Sequence, residues 1–223
     1  MISVILVAAG RGIRMKSDVP KQFIEIHGKS ILEHTLSAFV AAIPNAHYCI
    51  VLHEDFNAKG AELVAKYPSS NIDIVIGGKE RFHSVQNALQ SIPKDTTRVM
   101  IHDAVRPFCS EQLVNDCIDA CEEYGNAIPA VTPKDSLRSI QDDGASRHED
   151  RSNFRLVQTP QCFDYHKIKA AYLKPYSDIF TDDASVFEAD GHRICIVDGD
   201  SKNIKLTTPE DLLWAEIHLG PDA

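Results

Sequence analysis

The apolar residues of this chain form two alternating patterns. Short, nearly continuous runs rich in β-branched residues predict buried strands, and runs with apolar residues every three or four positions predict helices. The predicted strands are Ile2–Val7, Tyr48–Leu52, Ile72–Ile76, Val99–Ile101, Ala127–Val131 and Arg193–Val197. The predicted helices are Lys29–Ile43, Asp55–Tyr67, Glu80–Ile92, Ser110–Tyr124, Tyr165–Tyr172, a short one introduced by Thr181-Asp182-Asp183, and a last one starting at Thr208-Pro209.

Strands that alternate with helices in this rhythm predict an α/β fold. We expect one domain over residues 1–223, with a mostly parallel, Rossmann-like sheet and helices on both faces. Ligands of such sheets bind at the carboxyl ends of the strands. Gly10, Gly77-Gly78 and Asp103 each follow a predicted strand. One crevice is therefore expected to contain all three.

The alternating pattern stops at about residues 132–159. Lys134–Ile140 has some strand-like alternation, Gln141–Asp150 is polar, and Phe154–Val157 is extended again. This pattern predicts a β-hairpin or arm that projects from the sheet, with a disordered linker as the alternative. Two exposed strands are marginally stable by themselves. We therefore expect the arm to pack against a second subunit in a homodimer.

Composition and charge narrow the functional classes. The net charge of −9 argues against general binding to nucleic acid or to a membrane surface. The six cysteines form no C-x-x-C pair, and Cys117 and Cys121 lie on one apolar helical face, so we expect buried, reduced thiols rather than a metal site. The sequence has no signal-peptide pattern and no apolar run of about 18 residues. A cytoplasmic protein without a transmembrane segment is expected.

The first glycine loop is the strongest candidate for a ligand site. Gly10-Arg11-Gly12 follows the first strand but lacks the third glycine of the dinucleotide fingerprint and the G-x-x-x-x-G-K-[ST] of a P-loop. Glycines let the backbone approach a ligand closely, and backbone N–H groups with nearby cations can hold phosphate charges. This loop therefore predicts a nucleoside-triphosphate site.

Residues after this loop make the prediction more specific. The run from Ala8 to Pro20-Lys21 resembles the nucleotidyltransferase pattern A-A-G-x-G-x-R-M-x(4)-P-K. With Gln22-Phe23 it resembles the 2-C-methyl-D-erythritol 4-phosphate cytidylyltransferase family and the closely related ribitol-5-phosphate cytidylyltransferases. Further matching segments follow in order: Gly77-Gly78-Lys79-Glu80-Arg81 with Ser84-Val85, His102-Asp103-Ala104-Val105-Arg106-Pro107, Thr159-Pro160-Gln161, Thr181-Asp182-Asp183-Ala184-Ser185, and Asn203-Ile204-Lys205 leading to Thr208-Pro209-Glu210-Asp211.

The resemblance implies a specific reaction. CMP would be transferred from CTP to 2-C-methyl-D-erythritol 4-phosphate, giving 4-diphosphocytidyl-2-C-methyl-D-erythritol and pyrophosphate, a step of non-mevalonate isoprenoid synthesis. It also implies Mg²⁺ and a homodimer formed through the arm. The alternatives are the same chemistry on ribitol 5-phosphate and a catalytically silent nucleotide-binding regulator. A hexose-phosphate nucleotidyltransferase is disfavoured by Gln22 and by the short chain.

The resemblance also assigns residues. The catalytic cations would be Arg14, Lys21, Arg151 and Lys205. CTP would be bound by Ala8, Ala9, Gly10, Gly12, Gly78 and Ser84, and the second substrate by Asp103, Ala104, Arg106, Ser136, Thr159 and Thr181. Mg²⁺ would be held mainly by the CTP phosphates, with Asp103 as a candidate ligand. Arg151 and Thr159 are assigned either to their own site or to the partner subunit's site. Lys79 and Lys202 stand where acidic residues are frequent in the family, whereas His102 reads as a packed strand-end histidine.

Overall fold

A computed structural model of the protein describes residues 1–10 and 19–220. The strands are β1 Ile2–Ala8, β2 Glu25–Ile26, β3 Lys29–Ser30, β4 His47–Leu52, β5 Asn71–Ile76, β6 Arg98–Asp103, β7 Asn126–Val131, β8 Leu137–Ile140, β9 Ser146–Glu149, β10 Leu156–Val157, β11 Gln161–Asp164 and β12 Ile196–Asp198. The helices are α1 Ile31–Ala42, α2 Asn57–Ala65, α3 Arg81–Ser91, α4 Glu111–Tyr124, α5 Tyr165–Ala171, α6 Asp183–Ala189 and α7 Pro209–His218. Every strand and helix predicted from the hydrophobic pattern has a counterpart here, so the predicted α/β class is confirmed.

Eight strands form the central sheet. Its order is β10-β7-β11-β6-β1-β4-β5, and β12 pairs with β7 as well. The β5-β4-β1-β6 half is parallel throughout, whereas β11 runs antiparallel to both β6 and β7. The sheet is therefore mostly parallel, as predicted, with an antiparallel strand at its centre that the sequence pattern did not reveal.

Helices cover both faces of the sheet, and β1 is therefore buried on both sides. Val4 and Leu6 lie in one apolar cluster with residues of α1, α2 and α4. Ile5 lies in a second cluster with residues of α3, α5 and α6. Along a strand, successive side chains point to opposite faces, so a continuous apolar run is what such a sandwiched strand requires.

Local capping explains where the helices near the site begin. The Ser110 side chain accepts a hydrogen bond from the Leu113 N–H at the start of α4, as predicted. Thr208 caps α7, with Pro209 at its first position. At α6 the cap is Asp182 rather than Thr181, which frees the Thr181 side chain from that role.

The segment predicted as an arm contains a hairpin. Strands β8 and β9 pair antiparallel with each other, and most of their residues are exposed. The chain then returns to the main sheet through β10, which pairs with β7. The hairpin thus replaces the alternative of a disordered linker, and its part in a dimer stays a prediction.

Two further expectations concern the rest of the chain. All six cysteines are free, and all but Cys195 are buried. Within residues 1–10 and 19–220, no helix combines the length and apolar character needed to cross a membrane.

Candidate active site

A polar cavity of about 300 Å³ opens at the carboxyl end of β6. Three separate parts of the chain meet there because β6 ends next to the start of β11 and next to the loop before α7. Its lining is rich in charged and hydroxyl groups: Arg81, Asp103, Arg106, Val157, Gln158, Thr159, Gln161, Thr181, Asp182 and Lys205.

Asp103 forms the electrostatic centre of this cavity. Its carboxylate oxygens lie 2.9 Å from Lys205 Nζ, 3.5 Å from Arg81 Nε and 3.6 Å from Arg106 Nε. Burial by itself raises the pKa of the Asp103 carboxyl, but the three cations outweigh burial and hold this pKa well below its usual range. The carboxylate is therefore ionised at neutral pH, and the cluster keeps a net positive charge.

Arg81 connects this centre to a second buried carboxylate. Its guanidinium makes two bonds to Asp183, of 2.9 and 2.7 Å, while also facing Asp103. The Tyr172 hydroxyl donates a further bond of 2.5 Å to Asp183, which is fully buried at the first turn of α6. A planar guanidinium suits such bidentate pairing. The start of α3 is thereby fixed to the wall that carries Thr181.

The loop before α7 is held in the cavity by its backbone. Arg106 Nη1 donates to the Asn203 carbonyl at 2.8 Å, and the Leu206 N–H donates to the Val105 carbonyl at 2.9 Å. Lys21 Nζ donates to the Leu206 carbonyl at 3.4 Å. Lys21, one of the two lysines predicted to be catalytic, thus bonds the residue that directly follows the other, Lys205.

Gln22 holds the chain where β1 ends and the first glycine loop begins. It is buried, and its Nε2 donates to the carbonyls of Ala8 at 2.8 Å and Gly10 at 2.9 Å. An amide side chain can bridge two carbonyls because its nitrogen carries two donors. This is a physical reason for a glutamine directly after Pro20-Lys21.

The second glycine loop packs against Ala9, the residue just before the first glycine loop. A Cβ at Gly77 would lie 2.4 Å from the Ala9 Cβ, so a larger residue does not fit there. The neighbouring Gly78 N–H donates to Ser84 Oγ at 3.1 Å. Ala9, Gly78 and Ser84, all predicted to bind CTP, are therefore close together.

His102 and Thr159 are linked beneath the cavity. The Asp103 N–H donates to Thr159 Oγ1 at 3.1 Å, and the same oxygen lies 3.1 Å from His102 Nδ1. His102 Nε2 lies 3.1 Å from the Arg106 carbonyl. Burial lowers the pKa of His102 to about 4, so its ring is neutral at neutral pH. His102 is a packed strand-end residue, as its sequence position indicated.

Other predicted site residues lie away from this cavity or outside the described residues. Gly12 and Arg14 belong to the latter group. Arg151 is exposed and donates to the Lys134 carbonyl at the base of the hairpin, and Ser136 is exposed just before β8. Ala104 is buried, and its N–H and carbonyl already have partners in Val7 and Thr35.

The structure also adds residues to which the sequence had given no role. Arg81, Gln161, Asp183 and Asn203 occurred in the matching segments only as members of a motif, and their side-chain hydrogen bonds show what they hold in place; Asn203 Nδ2, for example, donates to the Thr159 carbonyl at 2.8 Å. Gln161 Nε2 donates to Asp182 Oδ2 at 2.8 Å, and its Oε1 accepts from the Ala184 N–H at 2.8 Å. The sequence signal that could have identified these residues is a polar side chain within a segment that is otherwise expected to be buried.

The carboxylates of this site do not form a protein cage for a metal ion. No group of three or more His, Cys, Asp or Glu side chains with suitable geometry occurs in the described part of the chain. Asp103, the candidate ligand, already faces three cations. A divalent ion in this cavity therefore has to obtain most of its ligands from a bound nucleotide or from water.

Sequence comparison identifies the family. The profile of the IspD family, 2-C-methyl-D-erythritol 4-phosphate cytidylyltransferase, matches residues 2–221. The chain belongs to this family. The 2-C-methyl-D-erythritol 4-phosphate cytidylyltransferase of Phocaeicola vulgatus is 42% identical over 215 residues, covering 96% of this chain and 97% of the relative. That of Clostridium acetobutylicum is 41% identical, with 95% and 94% covered.

Solved structures of cytidylyltransferases in this family have the same fold. The 4-diphosphocytidyl-2C-methyl-D-erythritol synthase of Anaerococcus prevotii superimposes with a TM-score of 0.86 at 31% identity, covering 98% of both chains. The 2-C-methyl-D-erythritol 4-phosphate cytidylyltransferase of Thermus thermophilus gives 0.77 at 30% identity, again with 98% covered. The resemblance inferred from the sequence motifs is confirmed, and the protein is a cytidylyltransferase.

Proposed function

We propose that this cytidylyltransferase transfers CMP from CTP to 2-C-methyl-D-erythritol 4-phosphate, releasing pyrophosphate. Family membership over nearly the whole chain supports the reaction. The observation that carries the proposal is the cationic cluster of Arg81, Arg106 and Lys205 around Asp103, at the end of β6, which pairs with β1, the strand that leads into the first glycine loop. A polar cavity lined by three cations, one of them the partly exposed Lys205, suits a polyol phosphate.

The chemistry requires little from a general base. A phosphate monoester has a second pKa of about 6, so its attacking oxygen is already charged at neutral pH. That oxygen forms a bond to the α-phosphorus of CTP, and the bond from the α-phosphorus to the α–β bridging oxygen breaks as pyrophosphate leaves. The remaining difficulty is the approach of two anions, which fixed cations relieve.

In this proposal the lysines reduce the repulsion between the two anionic substrates. Lys21, together with Arg14, stabilises the charge that develops on the α- and β-phosphates. Lys205 positions the phosphate of the acceptor, and Asp103 holds its ammonium group at 2.9 Å. The Lys205 side chain is 39% exposed, so it can still reach a ligand while paired. Loss of one such group typically reduces the rate about 10²–10³-fold.

The two substrates would occupy different walls. Ala8, Ala9 and Gly10 with Gly78 and Ser84 bind CTP, since Gly77 packs against both Ala9 and Ser84. Asp103, Arg106, Thr159 and Thr181 bind the acceptor; all four line the cavity. Arg81 lies between the two walls, because it begins the helix after Gly78 and also contacts Asp103.

Mg²⁺ enters this proposal bound to CTP. When bound, it would neutralise part of the triphosphate charge. The two carboxylate oxygens of Asp103 are already shared among three cations, so Asp103 can supply few ligands to a metal ion. A metal that arrives with its nucleotide brings its other ligands with it, and the cavity is compatible with that.

We also propose that the protein forms a homodimer through the hairpin. We propose further that it resides in the reducing cytoplasm. The apolar side chains of Ile140, Phe154 and Leu156 are 72%, 41% and 53% exposed, which is costly in water and favours a covering partner. Arg151 lies in the same region and would serve the active site of one of the two subunits. Free thiols at all six cysteines suit a reducing compartment.

The decisive assay is pyrophosphate release from CTP and Mg²⁺ with each acceptor offered separately. We expect release with 2-C-methyl-D-erythritol 4-phosphate and little with ribitol 5-phosphate. Release with ribitol 5-phosphate alone would overturn the choice of substrate, and no release with either acceptor would favour a silent nucleotide binder. Lys21→Ala should abolish turnover while the protein stays folded, which circular dichroism can verify.

A further inference from the structure

The hydrogen bonds beneath the cavity fix the direction in which Thr159 can bond a ligand. The Arg106 carbonyl can accept a hydrogen bond but cannot donate one, so His102 Nε2 must carry the proton of that 3.1 Å bond. In a neutral imidazole the other nitrogen then has no proton. His102 Nδ1 is therefore an acceptor, and the Thr159 hydroxyl is the group that donates to it at 3.1 Å.

Thr159 has no second proton to offer. Its single hydroxyl proton is committed to His102, and one of its two lone pairs accepts the Asp103 N–H. One acceptor position remains. Both residues are fixed, since His102 is fully buried against Phe39 and the Thr159 carbonyl is held by Asn203 Nδ2 at 2.8 Å. Rotation of the hydroxyl toward a ligand would leave the bare His102 nitrogen buried without a partner.

We propose that His102 is a positioning residue that makes the Thr159 hydroxyl an obligate hydrogen-bond acceptor toward the polyol substrate. Thr159 then bonds a hydroxyl that can donate and does not bond a phosphate dianion, which has no proton. The inference rests on the proposed function of the cavity, and it names the chemical group that Thr159 selects: a polyol hydroxyl, not the phosphate.

The protonation pattern can be measured without turnover. Long-range ¹H–¹⁵N correlation spectra of the full-length protein, near neutral pH, distinguish protonated from bare ring nitrogens. Comparison with a His102→Gln spectrum assigns the signal. We expect Nε2 protonated and Nδ1 bare. A protonated Nδ1 would refute the proposal whatever the enzyme's substrate proves to be.

Substrate analogues test the consequence for selectivity. In the acceptor, each hydroxyl in turn is replaced by hydrogen or by fluorine, which cannot donate a hydrogen bond. At one position, both replacements should lower kcat/KM by about 10-fold or more, while KM for CTP changes little. If the fluoro compounds react as well as the parent at every position, the acceptor role of Thr159 is wrong.

Two variants separate this role from a merely structural one. In Thr159→Val, the sensitivity at that position should disappear, because no oxygen remains to receive the hydroxyl. In His102→Phe, which keeps a ring beside Phe39, Thr159 regains a free proton, so the fluoro analogue should lose less relative to the parent. If His102→Phe folds and leaves this ratio unchanged, the proposal fails; if it does not fold, the spectrum decides.

The two proposals can fail separately. No turnover of the unmodified acceptor by the wild-type enzyme would overturn the proposed function, yet the spectrum would still report the state of His102. Normal turnover with a bare Nε2 would overturn this inference alone.

Discussion

Replacing the central carboxylate, Asp103→Asn, should destabilise the protein strongly although the side chain keeps its shape. The amide has no charge to offset Arg81, Arg106 and Lys205, which now lie 2.9–3.6 Å from those oxygens. Removal of one partner from a buried ion pair typically costs about 3–5 kcal/mol. Here Lys205 is 39% exposed, and Arg81 keeps Asp183, so both cations remain partly compensated.

We therefore expect the free energy of unfolding to fall by about 2–3 kcal/mol, somewhat below the value for a fully buried pair. Urea unfolding followed by circular dichroism measures this difference. The matched control is Asp73→Asn, whose carboxylate bonds His47 at 3.0 Å but is 64% exposed. The control should change by less than about 1 kcal/mol. Equal effects in the two variants would contradict the assignment of Asp103 as the electrostatic centre.

The loss of stability in Asp103→Asn should also depend on pH. The folded pKa of Asp103 lies below the unfolded value of about 4, so its contribution to stability is complete above that value and is lost as the pH falls. The difference in unfolding free energy between wild type and Asp103→Asn should therefore shrink below about pH 4. A constant difference down to pH 2 would show that charge is not the cause.

Three further predictions test the walls of the cavity. Lys205→Ala should lower kcat about 10²–10³-fold, whereas the exposed Lys202→Ala should leave steady-state rates nearly unchanged. Gly77→Ala should cost about 1–3 kcal/mol in urea unfolding and weaken CTP binding in calorimetry, because its Cβ would overlap Ala9; unaltered stability and affinity would disprove the close packing. Gln22→Leu should weaken CTP binding at least several-fold by removing the donor that holds the carbonyls of Ala8 and Gly10, and wild-type affinity would show that the chain after β1 keeps its shape unaided.

Hydrophobic periodicity predicted most of the fold because the parallel strands are buried on both faces. Ile2–Val7 and Tyr48–Leu52 read as nearly continuous apolar runs for that reason, and each lies within an observed strand. Gln161–Asp164 did not read as a strand, since it is four residues long and begins and ends with polar side chains. Its place between β6 and β7 is set by pairing with distant segments, which local sequence does not encode.

The candidate site followed a similar division. Motif spacing predicted Lys21, Asp103, Arg106 and Lys205, and the structure places them around one cavity or the segment beside it. The spacing could not reveal that Arg81 bridges two carboxylates, because its partners lie more than 20 and 100 residues away. Side chains that hold other side chains in place give a weaker signal in the sequence than side chains that are expected to contact the substrate.

The antiparallel direction of β11 has a consequence for how this enzyme can diversify. Because β11 runs against β6, its first residues rather than its last lie beside Asp103, and Thr159 reaches the cavity without an intervening loop. The tip of the hairpin, at residues 141–145, is remote in sequence from this junction. Insertions there can change the length of the hairpin while the cavity keeps its shape. An insertion between Val157 and Gln161 would shift the register of the wall itself, so we expect natural and engineered length variation to concentrate at the tip.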